Sequence, residues 1–159
     1  MNQHVAYIRG VHGDQVRPIM TSQIHGAYSI VIGASWRYLH QDNGDTITLS
    51  LPDDSDGARC LMRAWENGTE MRVLRIKRAS ASTRITSQYA PERGIRYDGL
   101  YIVTRVEGTI AHGAERKYTI GRVPGQVALA YIVGARPTEG ELEAWYAYKQ
   151  FRRQAGMNP

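Results

Sequence analysis

The five histidines, His4, His12, His25, His40 and His112, are the first residues to weigh for chemistry. No two stand at i, i+3 or i, i+4 on a helix, and none has a cysteine or carboxylate at metal-ligand spacing. The adjacent acids Asp53 and Asp54 fall in the loop PDDSDG at 52–57, with no lysine after them in a nuclease-like arrangement. They read as solvated. Cys60 is the single cysteine, which excludes an intrachain disulfide and a Cys-rich zinc site, and no activating neighbour marks it as a nucleophile. The chain has no H-E-x-x-H, C-x-x-C, P-loop or G-x-S-x-G. No metal or cofactor is implied, and the chain is not expected to be an enzyme, although a triad spread through the sequence would escape this reading.

The aromatic and basic residues carry more. Ten tyrosines and three tryptophans stand against one phenylalanine. Tyr and Trp pair an apolar face with a polar edge, which suits base stacking. Trp36 and Tyr38 flank Arg37 in the loop GASWRYLHQDNGD at 33–45, where they either wall a pocket or cap the core. Residues 77–96 hold Lys77, Arg78, Arg84, Arg93 and Arg96 against the single acid Glu92. The net charge is +5 and the pI about 9.5. A basic domain of this kind points to an anionic partner, nucleic acid first, with a merely soluble basic protein as the alternative.

The elements that must position these residues follow from periodicity. At 159 residues and 42% hydrophobic, the chain fits one domain with a sizeable core. No signal peptide, presequence or membrane-length apolar run is visible, so an intracellular location is expected. Tyr28–Gly33 is an almost continuously apolar strand. Asp45–Leu51 alternates, with Ile47, Leu49 and Leu51 on one side and Thr46, Thr48 and Ser50 on the other. Ser55 or Asp56 caps a helix with an apolar face of Ala58, Leu61, Met62 and Trp65, and Asn67-Gly68 stops it. Met71–Ile76, Leu100–Val106 and Arg116–Val123 are further strands. Tyr97-Asp98-Gly99 reads as a turn before one of them, with Asp98 making local hydrogen bonds. Beyond Gln126 a short strand precedes a helix from about 138 to 153, with a Thr138/Glu141 capping box and an apolar face of Leu142, Trp145 and Tyr146. Lys149, Arg152 and Arg153 suit its C-terminal dipole, or a phosphate. Runs of strands without strict alternation predict an α+β fold with a curled, largely antiparallel sheet.

Several strings, in order, resemble the SRA (SET and RING finger associated, or YDG) domain family. Tyr97-Asp98-Gly99-Leu100-Tyr101, preceded by Tyr89-Ala90-Pro91 and Gly94, is similar to its R-Y-D-G-L-Y signature. Ala27–Val31, Gly44-Asp45, Asn67-Gly68 with Val73-Leu74-Arg75, and Arg122–Gln126 resemble other family segments. The match covers about residues 16–128. The resemblance implies a PUA-like curled β-sheet or barrel with flanking helices over residues 1–159. It also implies a reader of modified cytosine, 5-methylcytosine or a larger 5-substituted form, which flips the base out of double-stranded DNA. Activity in such proteins comes from attached effector domains such as a nuclease or chromatin enzyme. The location would be cytoplasmic in a prokaryote and nuclear in a eukaryote. A specificity domain of a modification-dependent restriction system and an RNA-binding PUA-like module are the alternatives, with a protein-interaction scaffold behind them.

Carried over by position, the pocket loop of the family falls on 34–39. Ser35, Trp36, Arg37, Tyr38, Leu49 and Ser50 would surround the base, and Trp36 would replace a stacking Tyr. Leu39 stands where the family has a base-reading Asp, so Asp42 or Asp45 is the candidate carboxylate. Loss of such a carboxylate would cost about 1–3 kcal/mol. Lys77, Arg78, Arg84, Arg93 and Arg96 would contact phosphates, while Tyr97, Asp98 and Gly99 would brace the sheet. The finger that probes the opposite strand in some members is missing here. That removes a means of telling hemimethylated from fully methylated DNA. The altered loop leaves open a different modification or backbone binding alone.

Overall fold

The computed structural model describes residues 19–22, 26–33, 38–76, 87–91, 94–108, 114–134 and 138–154. Seven strands form one curved, open sheet in the order β1-β2-β5-β6-β7-β4-β3. They are β1 Ile19–Ser22, β2 Gly26–Ile32, β3 Leu39–Asp42, β4 Thr46–Pro52, β5 Met71–Ile76, β6 Ile95–Glu107 and β7 Glu115–Arg122. Every pairing is antiparallel except β2 with β5. That parallel pair is reached by a long crossover containing the β3–β4 hairpin and helix α1, Asp56–Glu66. The fold is therefore α+β, and the described sheet does not close into a barrel.

The alternation in β4 is as the sequence predicts. Ile47, Leu49 and Leu51 enter the core, where they join Ile30, Ile32, Val73, Tyr101, Tyr118 and Ile120. β1 and β3 were not legible. β3 lies within a stretch expected to be loop, because LHQD lacks an apolar alternation. Its register comes from β4 (Leu39 opposite Leu49, Asp42 opposite Ile47) and from the turn at Asn43-Gly44.

Helix α1 lies on the sheet. Ser55 caps it by accepting from the Ala58 amide, and Asn67 and Gly68 end it, Gly68 with φ +60. The packed face differs from the expected one. Ala58, Leu61 and Ala64 are buried, whereas Trp65 is 43% exposed. The reason is backbone proximity. Gly26 opens β2 at φ +85, and a Cβ there would lie 2.6 Å from the Ala64 amide nitrogen and 2.7 Å from the Cys60 carbonyl oxygen. Only small residues allow helix and strand to approach so closely, so the helix rolls towards Ala64 and turns Trp65 outward.

Two expectations at the C-terminal side change. The segment after Gln126 is a short helix, α2 Leu129–Gly134, not a strand. Only Leu129 of it is buried, against Gly44. Helix α3 spans Glu139–Gln154. Its Leu142 and Tyr146 are exposed, so they do not form a covered apolar face, and the Trp145 side chain is outside those described. No helix among the described residues is long and apolar enough to cross a membrane.

Two outcomes test this packing. Gly26→Ala should lower unfolding free energy by more than the ~1–2 kcal/mol of a left-handed non-glycine residue, because backbone atoms obstruct the Cβ. An unchanged urea midpoint would refute the close approach. Tyr118 donates to the Ala58 carbonyl at 2.9 Å, and burial pushes its phenol up to about 12, partly countered by Arg116. The unfolded phenol, near 10, ionises first, so this stabilisation is complete below pH 10 and is lost as pH rises towards 12. The stability difference between wild type and Tyr118→Phe should therefore shrink across that window, as read by denaturant unfolding at successive pH values.

Candidate nucleic-acid interface

The most heavily bonded polar group of the fold is Arg75, on β5 and fully buried. Its five N–H donors all find acceptors. Nε donates to Asp42 Oδ2 at 2.8 Å, and Nη2 to Asp42 Oδ1 and the Gly44 carbonyl, both at 2.7 Å. Nη1 donates to Asp98 Oδ2 and, at 3.4 Å, to the Tyr101 hydroxyl. Tyr101 in turn donates to the Gly44 carbonyl at 2.8 Å. The guanidinium lies 5.6 Å from the centroid of the Tyr89 ring and 6.0 Å from that of Tyr101. Burial alone would lower the Arg75 pKa, but the hydrogen bond and charge of Asp42, with Tyr101 and Asp98, raise it further, so it is permanently charged. Burial raises the Tyr101 phenol, against the opposing pull of Arg75.

Arg96 completes the charge balance. It donates through Nε and Nη2 to the Asp98 carboxylate and through Nη2 to the Tyr89 carbonyl at 2.6 Å. Two guanidiniums thus meet two carboxylates. The Ser87 hydroxyl donates to Asp42 and accepts from the Tyr89 amide at 3.1 Å.

Asp98 reaches this node through a bulge. Val73 faces Gly99 and Leu74 faces Tyr97, so Asp98 is the extra residue of β6. Tyr97-Asp98-Gly99 therefore lies inside a thirteen-residue strand, not in a turn ahead of one. The Asp98 side chain bonds to Arg75, 23 positions away in sequence, as well as to Arg96. Gly99 has φ +111, and a Cβ on it would lie 2.6 Å from Gln126 Oε1. That crowding exists because Gln126 pairs with the strand through its side chain. It accepts from the Leu100 amide and donates to the Leu100 and Val123 carbonyls, each at 2.8 Å. Arg122 donates to the Asp98 carbonyl at 3.0 Å.

The expected base-pocket residues fall as follows. Ser35, Trp36 and Arg37 lie outside the described residues, as do Lys77, Arg78, Arg84 and Arg93 of the expected phosphate set. Tyr38 packs against the core. Leu49 is fully buried in the core, and Ser50, next along the pleat, sits on the opposite face of β4 with 6% exposure. Asp42, a candidate for the base-reading carboxylate, is instead closed off by Arg75 and Ser87, with its side chain 1% exposed. Asp45, the other candidate, is exposed at the hairpin turn, 3.8 Å from Arg122. Arg96, expected at phosphate, is turned onto Asp98. Asp53 is not solvated as expected, because it pairs with Arg116 at 2.6 Å. Among the described residues no group of three His, Cys, Asp or Glu could hold a metal. Sequence reasoning missed the Arg75 node. Its one signal was a second arginine, besides Arg72, in the short strand MRVLRI, with two acids of opposite charge in distant motifs.

Comparison with known proteins now has a geometry to meet. A family model described as the SAD/SRA domain matches residues 1–126. No curated protein sequence matches. Among solved structures, the SRA domain of SUVH5 in complex with hemimethylated CG DNA is 20% identical, with a TM-score of 0.60 over 80% of this chain and 87% of that one. The same domain is also solved bound to fully hydroxymethylated CG DNA. The modification-dependent restriction endonuclease TagI is 23% identical with TM-score 0.60, over 81% of this chain and 50% of its own. SUVH6 of Arabidopsis thaliana, solved with SAM, is 27% identical with TM-score 0.55, over 80% of this chain and 25% of its own. The chain thus spans half of TagI and a quarter of SUVH6.

Arg75→Met should destabilise by about 3–5 kcal/mol, because it strands Asp42 and Asp98 as buried charges. Arg75→Lys should recover little of this, since three donors on a point charge cannot fill five sites. Guanidinium chloride unfolding of the two variants measures it. A Lys variant of wild-type stability would show that the fork geometry is immaterial.

Proposed function

The chain belongs to the SAD/SRA domain family, and from that premise we propose that it is a DNA-binding reader of modified cytosine in duplex DNA. The base would be 5-methylcytosine or a larger 5-substituted cytosine, held in a pocket after flipping. The observation that carries this reading is the convergence of separate family segments on one node. Gly44, Arg75, Tyr89, Asp98 and Gln126 come from five stretches of sequence and meet around β5 and β6. Relatives with this architecture are solved on hemimethylated and hydroxymethylated CG DNA. A 5-substituent can be enclosed fully only once the base has left the stack.

In this reading residues 1–159 form one SRA-like domain of PUA-like type, with α3 as its C-terminal helix. Trp36 stacks on the base, and Ser35, Arg37, Tyr38 and Ser50 surround it. Leu49 supports the wall from the core. Asp42 belongs to the frame, so recognition leans on stacking and on the donors of Arg37 towards the acceptor edge of cytosine. Lys77, Arg78, Arg84 and Arg93 hold phosphates. The partner is double-stranded DNA, so the working location is the cytoplasm of a prokaryote or the nucleus of a eukaryote. The likeness to TagI favours, as a second reading, the specificity domain of a modification-dependent restriction system, with the cutting activity elsewhere.

The test is equilibrium binding to duplexes that carry cytosine, 5-methylcytosine or 5-hydroxymethylcytosine at one site. A preference for a modified duplex is expected, together with a steep fall in affinity with salt. Trp36→Ala should abolish the preference and leave the salt slope in place. Equal affinity of the wild type for all three duplexes would overturn modified-cytosine reading.

A further inference from the structure

A cleft of about 240 Å³ lies beside α1, lined by Asp53, Ala58, Arg59, Met62, Arg63 and Arg116. Three arginines face one aspartate there, so the cleft is cationic. Arg116, on β7, is the informative member. Its side chain is 8% exposed and its guanidinium pairs with Asp53 through Nη2. Its Nε is buried and has no hydrogen-bond partner. Buried N–H groups are almost always satisfied, so an unpartnered one on a guanidinium lining a cationic cleft marks the place of a missing acceptor. Arg59 reaches Asp56 and the Asp54 carbonyl from a half-exposed position, where an ion pair is weak and easily exchanged. Guanidinium forks match the oxygens of a phosphate better than those of water.

Arg116 stands opposite Leu51 across β4 and β7, so it shares the core face with α1, while Ser50 lies on the other face of β4. The Ser50 amide donates to the Tyr38 carbonyl at 2.8 Å, so the chain after Trp36 and Arg37 rejoins the sheet beside Ser50. Asp53 follows β4 directly, at the start of the turn into α1, and its amide donates to the Ala114 carbonyl at 2.9 Å.

We propose that this cleft is a phosphate subsite that holds a backbone phosphodiester of the bound DNA. The proposal rests on the reader function above and adds Arg59, Arg63 and Arg116 to the groups that position the duplex. A phosphate contact carries no sequence information, so the cleft governs affinity and salt dependence while the pocket governs preference.

The two claims separate in one experiment. Salt-dependent binding of modified and unmodified duplexes is measured for wild type and for Arg59→Gln/Arg63→Gln, whose two side chains are exposed and tolerate exchange. The Arg116 Nε–H resonance, assigned by its loss in Arg116→Lys, is followed during titration with duplex DNA and with inorganic phosphate. The expected result is a salt slope lower by ~0.9 in the double variant, with DNA shifting the Arg116 signal. A wild type that binds without preference, but whose slope falls in the variant, retires the reader function and keeps the cleft. An unchanged slope, or an Arg116 signal indifferent to DNA, overturns the cleft whatever the preference. A signal moved by millimolar inorganic phosphate and not by DNA makes the ligand the free ion and likewise overturns the proposal.

Discussion

A buried arginine with five filled donor sites is the constraint around which this fold is arranged. Arg75 would be prohibitively costly inside the sheet if any of its neighbours moved away. Each acceptor comes from a different place: the end of β3, the hairpin turn at Gly44, the bulge of β6 and the ring of β6's Tyr101. Tyr89 covers the guanidinium from a fifth segment, itself tied down by Ser87 and Arg96. The node therefore couples strands that are far apart in the sheet order, since β3 is an edge strand and β5 is central. Hydrophobic burial supplies most of the driving force for collapse, but it is non-directional. The geometry of five hydrogen bonds supplies the registration that burial alone cannot.

The same logic explains the glycines of the node. Gly44 has φ +83 in the hairpin turn, and a Cβ there would strike the Tyr89 ring at 2.8 Å. Gly99 leaves room for Gln126, whose amide imitates a strand neighbour for Leu100. The bulge at Asp98 turns what would be an alternating residue into an inward one. Tyr97-Asp98-Gly99 is thus three residues with three duties: an exposed ring, a buried counter-charge and a gap.

What was legible in the sequence divides along physical lines. β2, β4, β5 and β7 declared themselves by apolar runs or alternation, and Ser55 and Asn67-Gly68 by cap chemistry, because those signals are local. β3 was hidden because its register is imposed by β4 and by Asp42's bond to Arg75, which only the folded chain brings together. The face of α1 was misjudged for a similar reason. Apolar periodicity favours Trp65, but the near contact of two backbones at Gly26 and Ala64 decides the roll. Asp42 and Arg96 were legible as charged residues, and the resemblance suggested a ligand for each. Their partners lie at Arg75 and Asp98, and nothing in the local sequence distinguishes a charge waiting for DNA from one already satisfied.

The charged residues of the frame balance one another. Among the described residues, the donors and acceptors of the Arg75 node come from positions 42, 44, 75, 87, 89, 96, 98 and 101. Leu39 is fully buried opposite Leu49. An acid at that depth would need a partner or a ligand to offset its desolvation. The node meets that demand for Asp42 and Asp98 with Arg75 and Arg96, so its carboxylates are neutralised by residues of the chain itself.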